Sequence, residues 1–190
     1  MTEGRNIPIQ AVDQYDFLEH RRKQEALHWG RQDMAELNEL SSILTVEVNT
    51  TELCNRTCSF CPRANPEVFA NRNLHMTPKG AELIGKELHS NGFRGKISLS
   101  GYGENLLNPR FKEIVHTFRR TVPYATLECN TNGDKLTREY AEELFEFSGL
   151  DLLYINLYDG IEQMEHFEKV MKTIPETKYK YRMHWGDFEN

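Results

Sequence analysis

Three of the chain's four cysteines sit together in ELCNRTCSFCPR, as Cys54, Cys58 and Cys61 with C-x3-C-x2-C spacing. Thiolates this close hold soft metals, and their number narrows which. A structural zinc site takes four protein ligands, and disulfides take pairs. Iron–sulfur clusters use short-spaced cysteine loops, and a cubane has four irons. Three cysteines leave one iron with a free coordination position, open to a small molecule carrying amine and carboxylate donors. An electron-transfer ferredoxin would close that position with a fourth cysteine. The remaining cysteine, Cys129, lies far along the chain inside an expected strand, where a small buried hydrophobe is the simplest reading.

The bulk of the chain suits such a site. Its 190 residues are enough for one domain with a sizeable core. A formal charge of −6 supplies no electrostatic footprint for nucleic acid or an anionic membrane. The start, MTEGRNIPIQAVDQ, lacks a basic region followed by an apolar run, and no apolar stretch approaches transmembrane length. Clustered cysteines without an export signal point to a reducing cytoplasm rather than a disulfide framework.

The elements that must position the cysteines follow one repeated pattern. A short apolar run is followed by a turn with Gly, Asn or Asp and then by an amphipathic stretch. The runs KISLS, ATLECN, LLYINLY and YKYRMHW start roughly 27 to 29 residues apart, close to the span of one βαβ unit. LTVEVN, from Leu44, is an earlier strand just ahead of the cysteines. Thr77-Pro78 and Asn108-Pro109 each place a capping side chain before a proline that opens a helix. Asp159 and Glu162 have capping-box spacing. Phe111, Ile114, Val115 and Phe118 share one helix face, as do Tyr140, Ala141, Leu144 and Phe145, and Ile161, Met164, Phe167, Met171 and Ile174. These stripes are read as faces packed on a sheet.

The expectation is an α/β fold, a partial (βα) TIM-like barrel of about five βα units with parallel strands over residues 44–190. Residues 1–43, charged and with Arg21, Arg22 and Lys23 together, are expected as an N-terminal helical extension, either a solvated helix or a partner-binding arm. In parallel sheets of this kind the chemistry sits at the C-terminal ends of the strands, and each motif below follows an expected strand.

The cysteine loop after a first strand resembles the signature of the radical S-adenosylmethionine (radical SAM) superfamily. Phe60, before the third cysteine, stands where that family usually has an aromatic near the adenine. SLSGYGENLLNPRF resembles its glycine-rich segment, with Gly101 and Gly103 letting backbone approach the ligand and Glu104 placed to meet the methionine ammonium. The family commonly reads Gly-Glu-Pro here, whereas this chain has Asn105 in place of the proline. CNTNGD resembles the Thr-Asn-Gly of many members, which makes Asn130 and Asn132 candidate polar contacts, although Asn-Gly is equally an ordinary turn. In YINLYDG, Asn156 takes the place of a Ser that faces the site in many relatives. Asp159 reads better as a helix cap.

The resemblance implies a [4Fe-4S] cluster on Cys54, Cys58 and Cys61, with SAM at the open iron. Reductive cleavage of SAM then gives a 5'-deoxyadenosyl radical that abstracts hydrogen from a small-molecule or peptide substrate, peptide-like or sugar-like. No catalytic side chain is named by the sequence. A reductant protein such as a flavodoxin or ferredoxin is implied, with no membrane or nucleic-acid partner. KYKYRMHWGDFEN resembles the link in members that carry a second cysteine-rich (SPASM) domain. Five expected strands against about six in the family core imply a truncated member, or a barrel completed by a partner or a C-terminal domain. Two other readings stand beside this one: a zinc-binding interaction module, with His75 as a conceivable fourth ligand, and an Fe–S scaffold or electron carrier that does not cleave SAM. Arg182 and His184, on the last strand, face either the barrel mouth or solvent.

Overall fold

A computed structural model describes residues 43–184 of the chain. Five strands, β1 (Thr45–Val48), β2 (Lys96–Leu99), β3 (Thr126–Thr131), β4 (Leu152–Leu157) and β5 (Tyr179–Met183), form one sheet in the order β1-β2-β3-β4-β5. Every neighbouring pair is parallel. Parallel neighbours need a crossover connection. Helices α1 (Pro78–Ser90), α2 (Phe111–Thr121), α3 (Arg138–Glu146) and α4 (Ile161–Val170) supply the four between successive strands. This is the partial barrel expected from the sequence. The expected extension over residues 1–43 lies outside the described residues, except for Ile43.

Strand alternation sends one set of side chains toward the helices. Ile97, Leu99, Leu127, Cys129, Leu153, Ile155 and Leu157 are buried there with Phe111, Ile114, Phe118, Leu144 and Phe167. These strands are covered on that face, so their apolar residues need no polar partner, and Cys129 behaves as the small hydrophobe expected of it. The opposite set is polar. Register places Asn130 beside Tyr154 and Asn156 beside Arg182. Among the described residues, no helix is long and apolar enough to cross a membrane.

The caps divide into one that forms as expected and two that do not. Thr77 accepts from the Gly80 amide and starts α1 with Pro78 in its first turn. Asn108 does not start a helix at Pro109, because α2 begins at Phe111. Its Oδ1 instead caps the preceding turn through the Arg110 amide, while Nδ2 donates to the Thr50 and Met76 carbonyls. Asp159 is not a cap either, since Gly160, at φ 89°, precedes α4. The Asp159 carboxylate is drawn away by Arg56, a stronger partner than a helix amide. The α4 stripe is also shorter than its spacing suggests. Ile161 is exposed, and Met171 and Ile174 are buried just beyond the last helical turn.

Candidate functional site

The strand ends on one edge of the sheet bring the sequence candidates together. The cysteine loop leaves β1 through Thr50–Leu53 and is bound back against the glycine-rich turn, where the Glu104 amide donates to the Leu53 carbonyl at 2.8 Å. That bond sets Glu104 against the residue preceding Cys54. A Cβ on Gly103 would fall 1.8 Å from the Thr51 carbonyl oxygen, so only glycine permits this approach. Gly101, at φ 124°, sits in the left-handed region with the Asn49 side chain close by.

Glu104 is 3% exposed and has no ion-pair partner among the described residues. Its carboxylate accepts from Thr131 Oγ1 at 2.7 Å, the Asn132 amide at 2.7 Å and the Leu106 amide at 3.0 Å. Burial raises its pKa, and these three bonds oppose the rise. A carboxylate offers about four lone-pair sites, so one acceptor direction is left for a further donor.

Asn105 stands where the resemblance leads one to expect a proline, and its environment explains how this chain accommodates it. Fully buried, it accepts from Thr50 Oγ1 at 2.6 Å and donates to the Leu99 carbonyl at 2.8 Å and the Asn130 carbonyl at 3.2 Å. One amide thereby ties the ends of three strands. Proline would bring ring rigidity to this turn but no side-chain polar atoms.

The three cysteines are half-buried and free. Burial raises the Cys54 and Cys58 pKa values, and Coulomb repulsion from the neighbouring cysteines adds to it. Such mutual repulsion is relieved by a polynuclear cation, which deprotonates coordinating thiols. Among the described residues no group of His, Cys, Asp or Glu is gathered closely enough to hold a metal ion; in number and chemistry the three soft thiols of the loop suit an iron–sulfur cluster with one position open. His75 does not complete a Cys3His set. Its Nδ1 pairs with Thr51 Oγ1 at 2.9 Å and its Nε2 with Asn73 Oδ1 at 2.7 Å, so both ring nitrogens are committed elsewhere.

Several residues that the sequence did not single out hold the loop. Arg56, between the first two cysteines, forms a fork with Asp134, with Nε–Oδ2 at 2.7 Å and Nη2–Oδ1 at 2.6 Å, and also reaches Asp159 at 2.6 Å. Asn55 donates to Asp134 and accepts from Asn132 Nδ2. Asn132 thus engages the cysteine loop by its side chain and Glu104 by its amide. The signal for this clamp was present as an arginine inside the loop and acidic residues after Asn-Gly and before Gly160, but no local rule pairs them.

Phe60 is 67% exposed and, with Arg56, Cys58, Tyr158 and His184, lines an open surface depression of about 320 Å3. Its ring stacks with His184 at 5.7 Å and Tyr158 at 6.1 Å, and those two stack with each other at 4.9 Å. On the polar face, Asn156 Oδ1 meets His184 Nε2 at 3.1 Å while its Nδ2 donates to the Thr131 carbonyl. Asn130 Oδ1 accepts from Arg182 Nη1 at 2.6 Å, and the Arg182 guanidinium lies 3.9 Å from the Tyr154 ring centroid. Arg182 and His184 are therefore at the strand-end site.

Comparison with known proteins gives this edge a context. A model described as the Radical SAM superfamily matches residues 48–183. The S-adenosyl-L-methionine-dependent 2-deoxy-scyllo-inosamine dehydrogenase of Niallia circulans is 34% identical over 124 residues, covering 65% of this chain and 48% of that protein. A probable GTP 3',8-cyclase of Thermococcus kodakarensis is 30% identical over 142 residues, covering 70% and 43%. The chain thus spans under half the length of these two curated relatives. The crystal structure of BtrN in complex with AdoMet and 2-DOIA superposes with a TM-score of 0.65 at 27% identity, covering 75% of this chain and 57% of that one.

Proposed function

Because this chain belongs to the radical SAM superfamily of enzymes, we propose that Cys54, Cys58 and Cys61 bind a [4Fe-4S] cluster and that the adjoining strand ends hold SAM. Held there, such a cluster would supply the electron for reductive cleavage of SAM, and with it the hydrogen-abstracting chemistry directed at the substrate. The observation that carries this reading is the Glu104–Leu53 backbone bond, which joins a buried carboxylate without an internal cation to the cysteine loop.

In this reading each residue has a bounded role. Glu104 accepts a hydrogen bond from the methionyl ammonium with its remaining lone pair, while Thr131 and the Asn132 amide fix its orientation. Gly101 and Gly103 keep the backbone close enough for that contact. Phe60, with Tyr158 and His184 beside it, offers the flat apolar surface for the adenine. Asn130, Asn156 and Arg182 present amides and a guanidinium toward the substrate. Such a face suits a polar, hydroxylated, sugar-like molecule, and the relatives' printed names specify 2-deoxy-scyllo-inosamine and GTP, both polar and oxygen-rich. The electron comes from a reductant protein of the flavodoxin or ferredoxin class.

The test is anaerobic reconstitution with iron and sulfide, followed by dithionite and SAM. Wild-type protein should release 5'-deoxyadenosine, and Cys58→Ala should release none. Iron and colour retained without that product would instead support an Fe–S scaffold or electron carrier. A colourless protein holding zinc would support an interaction module.

A further inference from the structure

Arg63 follows the third cysteine by two positions and is only 6% exposed. Its Nε donates to the Tyr102 carbonyl in the glycine-rich turn, and Nη1 donates to Asn71 Oδ1 at 2.8 Å. The Phe69 ring lies 4.7 Å from the guanidinium carbon and meets Tyr102 edge-on at 5.2 Å. Asn71 in turn brackets Cys54, accepting from its amide at 2.9 Å and donating to its carbonyl at 3.0 Å. Arg63 is thus one link from the backbone of the first cysteine and directly bonded to the turn that carries Glu104.

The remaining nitrogen is the informative one. Nη2 is buried and has no hydrogen-bond partner. Arg63 also makes no ion pair among the described residues, although other arginines here do. A buried guanidinium cannot shed its proton, so an unpaired one is costly to keep. The strap to Tyr102 and Asn71 uses two nitrogens, and the Phe69 ring takes one face of the guanidinium. Neither gives Nη2 a partner. Asn71, bonded both to Arg63 and to the Cys54 backbone, keeps this charge at the first cysteine's end of the loop. Three thiolates on one cluster would leave this corner of the protein negative.

Resting on the cluster reading above, we infer that Arg63 is the cluster's built-in counter-cation, with its unspent Nη2 hydrogens held for the anionic cluster on the Cys54 side. A fixed positive charge stabilises the added electron, so Arg63 raises the reduction potential; its loss makes the cluster harder to reduce. It is a positioning and tuning residue, acting through the cluster and not on the substrate.

The experiment compares wild type, Arg63→Lys and Arg63→Gln after anaerobic reconstitution of the full chain, without SAM, by iron content and an EPR-monitored redox titration. The expected result is a more negative midpoint potential in R63Q, with R63K near wild type at equal iron. Retention of iron by R63K and its loss from R63Q, with the two apo proteins giving the same circular dichroism, also supports the assignment. Equal potentials in both variants at full iron overturn it, as does equal loss of iron from both. A shift that appears only once SAM is added places the anion on the methionyl carboxylate and likewise overturns it. With guanidino-15N arginine incorporated, the reduced cluster of wild type should show an arginine hyperfine coupling that R63K, which keeps Arg56, lacks; no coupling in wild type, or the same coupling in R63K, overturns the proposal. Wild-type protein that assembles no cluster at all fails the cluster reading instead, which separates the two.

Discussion

The cysteine loop and the glycine-rich turn touch through one backbone bond, yet they are held in different ways. The turn is buried. Glu104, Asn105 and Asn108 are all nearly inaccessible, and each is fixed by hydrogen bonds with backbone or hydroxyl groups. The loop is half-exposed, and charge fixes it: Arg56 to Asp134 and Asp159, and Arg63 to carbonyl and amide oxygens. Buried neutral bonds give a rigid seat because leaving any one unmade costs a full desolvation penalty. Partly exposed ion pairs hold less firmly and weaken with salt. The turn is thus fixed by the fold itself, whereas the loop is held by ties that solvent and salt can reach.

The largest expected effect breaks the loop without touching the turn. Cys58→Ala should abolish iron retention, measured after desalting, while the circular dichroism of the apo protein stays unchanged. Next comes the turn itself. Gly103→Ala drives a methyl into the Thr51 carbonyl, and overpacking of this kind costs about 3 kcal/mol of unfolding free energy, read from urea denaturation.

Glu104 tests whether the seat is pre-built. Glu104→Ala should leave iron content near wild type yet weaken SAM binding about tenfold or more, the loss of one charge-assisted hydrogen bond. Calorimetry checks it. Loss of iron as well would mean that Glu104 supports the loop as much as the ligand. Its pH dependence has a defined sign. Burial raises the folded pKa above the ordinary value of 4.5, so its stability contribution is fullest below that pH and is lost as pH rises through the folded pKa. The unfolding free energy of wild type minus that of Glu104→Gln should therefore fall as pH is raised from about 4 toward neutrality, at constant ionic strength.

The loop's charge clamp should show smaller effects. Arg56→Ala removes charge-assisted bonds to two carboxylates, at about 2 kcal/mol, and should slow cluster reconstitution more than it lowers the final iron content. Asp159→Asn removes only the more exposed arm, 58% accessible at its side chain, and should cost about 0.5 kcal/mol, falling further in high salt. An Asp159 effect as large as that of Arg56 would mean the clamp works as one unit.

Much of the frame was legible. Each expected strand begins within one residue of the observed one, because apolar runs bounded by turn residues leave little freedom. Thr77 capped as read for the same local reason. Asn108 and Asp159 did not, because long-range partners outbid the nearby helix: two carbonyls for one, an arginine for the other. The roles of Arg182 and His184 needed strand phase, which two candidate faces left open until Asn130 and Asn156 were seen to meet them. Arg63 and Asn71 gave no signal, since a lone polar residue after a cysteine loop is ordinarily solvated.

What the sequence alone determined is the set of local facts: three thiols in one turn of chain, strand and helix alternation, and glycines where backbone must pass close. These depend on spacing and intrinsic conformational preference, which neighbouring residues carry by themselves. Tertiary structure decided which distant groups complete them. It set Glu104 against Leu53 and Arg56 between two aspartates, and left the Arg63 Nη2 buried without a hydrogen-bond partner. Those choices follow from parallel register and burial, where desolvation makes each polar atom find a partner or stand out for lacking one.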